Sequence, residues 1–164
     1  MTFNPDSFRR AMRAWTTGVA IILAAHENES YGMTINSFTS LSIEPPLVTV
    51  VLKNETHVFD LVQRSGVFRV HILSAAQREV AENFAGKLHG AERMNSLKMD
   101  STPNAASILD AGLAALDCRV VHAYAAGQNT LLVAEVTGST VRSTEEPLAY
   151  HDREYRQLHS TITQ

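Results

Sequence analysis

A chain of 164 residues is long enough to bury a core without disulfide or metal staples, and a composition that is 45% apolar and 19% charged excludes a disordered polymer and predicts one domain over residues 1–164. The formal net charge of −3 gives nucleic acid no electrostatic reason to bind, and a lone cysteine, Cys118, forbids an intrachain disulfide or a cysteine-rich zinc site. No apolar run reaches the roughly 18–20 residues of a membrane span, and MTFNPDSFRR places charges where a secretory signal needs its apolar core, so the protein reads as cytoplasmic.

The segment Asn4 to Asp6, with Pro5 in the first turn, predicts the start of a helix whose Phe8, Met12 and Trp15 share one face until Gly18 stops the pattern. Val19 to Ala25 is apolar and β-branched, the pattern of a strand buried on both faces. The stretch Gly32 to Leu52, GMTINSFTSLSIEPPLVTVVL, then crowds Thr34, Asn36, Ser37, Thr39, Ser40 and Ser42 together. Buried without partners, each such group costs roughly 1–3 kcal/mol. The cluster is therefore either a Ser/Thr-rich loop between strands or a set of neutral donors and acceptors for a ligand. The pair Pro45-Pro46 cannot sit in a central ladder and marks the entrance to a strand over Leu47 to Leu52 that, like Val19 to Ala25, reads as buried on both faces.

Thr56 to Arg64 predicts a helix closed by Gly66, with Val58, Phe59, Leu61 and Val62 on its buried side, and Val67 to Leu73 the next strand. Ser74 and Gln77 have capping-box spacing, which predicts a helix over Ala75 to Phe84 ended by Gly86. From Lys87 to Ala111 the chain is polar and weakly periodic, a surface excursion with one helical turn near Ala91 to Leu97 and the greatest expected mobility. Strands return over Ala115 to Ala123, where Cys118 reads as a buried strand residue, and over Leu131 to Val141, with Gly127 in the turn between them. Many strands with a few short helices predict a mainly β barrel rather than an alternating parallel sheet.

The familiar catalytic signatures are missing. The seven histidines are scattered, with no H-E-x-x-H pair, so no metal site is expected, and the chain has no G-x-S-x-G elbow, no phosphate loop and no G-x-G-x-x-G dinucleotide fingerprint. A nicotinamide nucleotide would have to bind without a Rossmann domain.

The segment GMTINSFTSLSIEPPLVTVVL resembles the signature of the short-chain flavin reductases that serve two-component monooxygenases. FRRAMRAWTTGVAIILA, KNETHVFDLVQRSGVFRVHILS, QREVAENFAGK, LDCRVV and PLAYHDREYRQL are similar to other parts of that family in the same order. The resemblance implies the FMN-binding split β-barrel, of Greek-key type with a few peripheral helices. It also implies reduction of FMN or FAD by NADH or NADPH, a homodimer that completes its flavin sites with residues from both subunits, and a flavin-dependent monooxygenase as recipient. Hydride transfer between the two ring systems is carried by the cofactors themselves, so a protein base is not required.

By correspondence of motif positions, Met33, Thr34, Asn36 and Ser37 would meet the flavin ring or the start of its tail. Ser40 and Ser42 would lie along the tail, with Lys53 and Thr56 at the phosphate. Phe84 and Ala85 would pack against the flavin. Tyr150, His151 and Tyr155 would neighbour the nicotinamide groove.

Two departures qualify the match. Where the family shows a G-D-H-T turn whose histidine lies on the nicotinamide side, this chain has Gly127-Gln128-Asn129-Thr130, and Asn129 can hydrogen-bond but carries no charge. His122 is the alternative occupant of that space. The family's frequent glycine near Arg153 is also missing. The first departure motivates a second reading, a flavin-binding carrier with weak nicotinamide oxidation; an oxidase of the pyridoxamine-phosphate type is disfavoured for want of an arginine cluster for a second phosphate.

Overall fold

The computed structural model describes residues 3–96, 109, 112–142 and 144–158. Among these residues ten strands form: β1 Thr17–Gly18, β2 Ala20–His26, β3 Glu29–Ile35, β4 Thr39–Ser42, β5 Leu47–Lys53, β6 Val67–Ile72, β7 Ala114–Ala126, β8 Asn129–Val141, β9 Leu148–His151 and β10 Glu154–Gln157. With them are helices α1 Pro5–Arg13, α2 His57–Ser65, α3 Arg78–Glu82 and α4 Gly90–Asn95. Seven strands make one antiparallel sheet in the order β3-β2-β6-β7-β8-β5-β4, and a smaller sheet runs β1-β9-β10.

The connectivity forces the large sheet to curl. Its two edge strands, β3 and β4, are consecutive in the chain and separated only by Asn36, Ser37 and Phe38. Laid flat, seven strands at about 4.8 Å spacing would put those edges roughly 29 Å apart. The four Cα steps from Ile35 to Thr39 reach about 15 Å at most. The sheet therefore closes on itself, and Asn36 to Phe38 cross the seam. Ser37 fastens it, its hydroxyl donating to the Val51 carbonyl at 3.0 Å and accepting from the Val51 N–H at 3.2 Å.

Inside the curl lies the larger core, built from alternate residues of the strands: Ile22 of β2, Val50 and Leu52 of β5, Phe68 and Val70 of β6, Cys118 of β7 and Leu132 of β8. α2 contributes Val58, Phe59, Leu61 and Val62, all buried, each stabilising by roughly 1.5–3 kcal/mol. Gly66 closes that helix at φ +71°, as the sequence predicts, and Thr56, expected inside it, caps it instead by accepting the Phe59 N–H. The other face of β2 feeds a second cluster, where Val19 and Ile21 meet Leu73, Val80, Ala81, Phe84 and Leu148. β2 is thus buried on both sides. The two sheets join where Val19, Leu73 and Leu148 exchange backbone hydrogen bonds of 3.0–3.1 Å in a triangle.

Four expectations change in detail. β5 is not buried on both faces: Val48, Val50 and Leu52 point into the core while Val51 is exposed on the outer face, where, among the described residues, no second layer covers the sheet. β3 and β4 are strands although their Ser/Thr content argues for a loop; both are edge strands, where polar side chains meet solvent rather than a second layer. The helix expected over Ala75 to Phe84 is broken into a 3-10 turn at Ala75–Gln77, α3, and a π-helical turn at Asn83–Lys87 that contains Gly86 at φ +125°. Gln77 does cap the start, accepting the Ser74 N–H at 3.0 Å. α1 begins as predicted, with Asn4 accepting from the Asp6 and Ser7 N–H groups, but Phe8, Met12 and Trp15 stay 55%, 51% and 68% exposed. Of the excursion from 87 to 111, the helical turn forms as α4, while most of the remainder lies outside the described residues.

Candidate functional site

The seam of the barrel meets the small sheet in a cleft of about 260 Å³, lined by Val19, Met33, Thr34, Ile35, Asn36, Ala85, Tyr150 and Tyr155. Each wall has a local cause. Met33 to Ile35 are the end of edge strand β3, and Asn36 is the first residue of the seam crossing. Ala85 is carried in by the π-helical turn, a device often found where a helix must place a residue against a ligand. Tyr150 and Tyr155 face each other across the β9–β10 pair, their ring centroids 5.4 Å apart. β3 is held at its outer edge because the Thr34 hydroxyl donates to the Ala81 carbonyl of α3 at 2.7 Å.

A second lobe of about 370 Å³ shares Asn36 and Tyr150 with the first and extends along α1 past Met12, Arg13, Trp15 and Thr17 to Asp152 and Arg153. Ligand sites usually run to about 300–1,000 Å³. The first lobe is therefore sized for a ring system and leaves any tail outside it.

The chemistry of the cleft is one of positioning. Its titratable side chains are the two tyrosines; burial, and then neighbouring Tyr150, push the Tyr155 phenol above its usual range, so it stays neutral near pH 7. No carboxylate, imidazole, thiol or lysine among the described residues lines it. Among the described residues no group of three His, Cys, Asp or Glu side chains is placed to hold a metal ion. What the cleft offers is apolar faces from Val19, Met33, Ile35 and Ala85, with polar atoms at Thr34 and Asn36 along one side. A planar heteroaromatic ligand with a hydrogen-bonding edge fits that distribution.

Six of the residues picked from the sequence, Met33, Thr34, Asn36, Ala85, Tyr150 and Tyr155, line this cleft together. Phe84 lies behind it, fully buried in the second core cluster. Ser37 is spent on the seam. Ser40 and Ser42 sit on β4, beyond the cleft lining, opposite Val48 and Leu47. Lys53 and Asn129 are register partners at the ends of β5 and β8, and that corner is tied by Asn54 donating its N–H to Gln128 and accepting from the Thr130 hydroxyl at 2.7 Å. Lys53 pairs with Glu55 at 2.8 Å on the surface, and the Thr56 hydroxyl donates to the Lys53 carbonyl at 2.7 Å. The candidates thus fall into a cleft group and a β4–β5–β8 group, linked by the seam residue Ser37.

Val19 and Ile35 are walls that sequence reasoning did not single out, because apolar strand residues facing a ligand look the same as those facing a core. His151 accompanies Tyr150 on β9, with its Nδ1 2.8 Å from the Thr16 hydroxyl.

Comparison with known proteins bears on this geometry. Residues 12–159 match the flavin reductase like domain. The reductase component of an FADH(2)-dependent resorcinol hydroxylase from Rhizobium sp. is 31% identical over 152 residues, 92% of this chain and 85% of that protein. An NADH-dependent flavin reductase from Rhodococcus sp. is 31% identical over 158 residues, 94% of this chain and 87% of its own. Among solved structures, the flavin reductase PheA2 in its native state superposes with a TM-score of 0.83 at 30% identity, covering 96% of this chain and all of that one.

Proposed function

The chain belongs to the flavin reductase-like domain family, and from that membership we propose how its cleft and chemistry work together. The protein is an NADH:flavin oxidoreductase that supplies reduced flavin to a monooxygenase, a reading supported by one relative named as the reductase component of an FADH(2)-dependent hydroxylase and another named as an NADH-dependent flavin reductase. When bound, flavin supplies the two-electron chemistry, accepting a hydride from the nicotinamide. The observation that carries the reading is the seam cleft, whose apolar walls end in Thr34 and Asn36.

The chain's own residues orient and exclude. Val19, Met33, Ile35 and Ala85 pack on a ring face and keep water from it. Thr34 already donates its hydroxyl proton to Ala81, so its oxygen is left to accept from a ligand N–H, while the Asn36 amide can both donate and accept. Holding two ring systems in contact converts a bimolecular transfer into a unimolecular one, which is the main rate advantage such a site supplies. The second lobe over α1 receives whatever projects past Asn36.

Of the β4–β5–β8 group, Ser40, Ser42, Lys53 and Thr56 belong to the flavin tail in this reading and Asn129 to the nicotinamide side. The group's separation from the cleft is accounted for by a second copy of the chain. Val51, Leu131 and Tyr124 form one cross-strand row on the outside of the sheet, with Val51 and Tyr124 exposed and the His122 ring 5.9 Å from Tyr124. Burying that row in a homodimer removes apolar surface from water and sets partner residues beside Ser37, Lys53 and Asn129. Residues 1–164 act as one domain. Among the described residues no helix is long and apolar enough to cross a membrane, and with a single cysteine that is buried we read the protein as cytoplasmic.

The test follows NADH absorbance in air with purified protein and FMN, FAD or riboflavin in turn, against controls lacking protein or flavin. Oxidation that needs both is the expected result. Tight flavin binding with NADH untouched would transfer the case to a flavin carrier.

A further inference from the structure

β3 is an edge strand, so its outer backbone groups have no sheet partner and must be met otherwise. One is met by Arg93 of α4. This arginine is only 7% exposed, unusual for a cation that bonds to carbonyls rather than to a carboxylate. Its Nη1 donates to the Gly32 carbonyl at 3.2 Å and its Nε to the Leu88 carbonyl at 3.0 Å. Its guanidinium lies 5.0 Å from the centroid of the Tyr31 ring and 6.0 Å from that of Phe84, within cation–π range.

These partners flank the cleft on two sides. Gly32 immediately precedes Met33 and Thr34, and Phe84 immediately precedes Ala85. We infer that Arg93 is the positioning residue that fixes the gap between β3 and the Asn83–Lys87 turn, and through that gap the affinity for flavin. The inference rests on the flavin-site reading of the cleft.

The geometry gives Arg93 two tasks that no other natural side chain combines. A planar fork serves two carbonyls from different segments while its faces stay free for aromatic rings; an ammonium is a point charge that can take one carbonyl well but not both with the same stacking. The Thr34 bond to Ala81 holds β3 to α3 farther along the strand. Without Arg93 the Gly32 end loses its outer tether, and Met33 and Ala85 no longer keep a fixed spacing. Arg93 touches neither ring of the reaction, so its loss weakens flavin capture without altering the hydride step once flavin is held.

The test compares wild type with Arg93→Met and Arg93→Lys. It reads the dissociation constant of oxidised FMN and FAD by flavin fluorescence in the absence of NADH, the KM for NADH and kcat at saturating flavin, and the thermal midpoint. Arg93→Met is expected to raise the flavin dissociation constant by about tenfold, the value of one lost charge-assisted hydrogen bond. Arg93→Lys falls between the two, with kcat and the KM for NADH within twofold of wild type in both. If Arg93→Met does not fold, Arg93→Lys decides alone by the same criteria. An unchanged flavin dissociation constant in a folded variant, or kcat falling in step with flavin affinity, overturns the positioning role. Wild type that binds no flavin overturns the site reading instead, which keeps the two failures apart.

Discussion

Replacing Gly32 with alanine is the sharpest structural perturbation available beside the cleft. A Cβ built there would stand 2.5 Å from Leu23 Cδ2 and 2.6 and 2.9 Å from Phe84 Cε1 and Cδ1, against an optimum of about 3.5–4.0 Å between carbons. Leu23 is only half-buried and can give way, but Phe84 is fully buried and cannot swing into solvent. Relief requires the Phe84 ring or β3 itself to move by about an ångström, an overpacking that typically costs about 1–3 kcal/mol. In a chain of this length that lowers the thermal midpoint by roughly 3–10 °C. Because Phe84 carries Ala85, the flavin dissociation constant rises as well. Thermal unfolding followed by circular dichroism, with a flavin titration on the same samples, measures both. Gly18→Ala is the control, since nothing lies within 4 Å of a Cβ there. The double variant Gly32→Ala with Phe84→Leu should recover part of the lost stability by removing the ring. A Gly32→Ala midpoint within about 1 °C of wild type, where a shift of roughly 3 °C or more is due, would refute the close-approach argument.

Other outcomes follow from the same geometry. Asn129→His restores an imidazole at the β7–β8 turn; kcat/KM for NADH should rise with flavin affinity unchanged, and identical turnover would remove that position from the nicotinamide side. Burial, and then the charges of Arg69 and Arg142, hold the His71 imidazole down to about 4, with Asp117 opposing. Between about pH 6.5 and pH 4 the unfolded chain therefore binds a proton at this site that the folded chain refuses, so His71 contributes stability fully above pH 6.5 and loses up to about 3 kcal/mol of it on acidification to pH 4. Denaturant unfolding across that window should be flatter for His71→Leu, and equal slopes would count against it. Cys118 is buried, and desolvation, reinforced by nearby Asp117, pushes its thiol up to about 12; an aromatic disulfide reagent should leave it unmodified in the native protein and label it on unfolding, whereas rapid native labelling would contradict its place in the core.

What the sequence makes legible is whatever obeys a short-range rule. The double-sided burial of β2, the αL stop of α2 at Gly66, and the Gln77 cap each depend on residues within a few positions of one another, and each forms. β3 and β4 escape because being an edge strand is decided by the whole barrel, and the hydroxyls that read as loop are tolerated where no second layer covers them. The π-helical turn escapes because it adds a residue to a helix without changing its composition. The cleft is half legible: Thr34, Asn36, Ala85 and Tyr155 are marked by motif, whereas Val19 and Ile35 carry no signal separate from packing. Arg93 lies in a polar stretch with weak periodicity, and only the fold reveals that its charge is buried against the Gly32 carbonyl.

The most direct test of the account is a crystal structure of the protein with FMN bound. The tricyclic ring is expected against Met33 to Asn36 and Ala85, with Tyr150 and Tyr155 on the open side and the tail running past Ser37 toward Lys53. A ring found instead in the shallow pocket between Tyr31, His57 and Met94, with the seam cleft filled only by water, would contradict it.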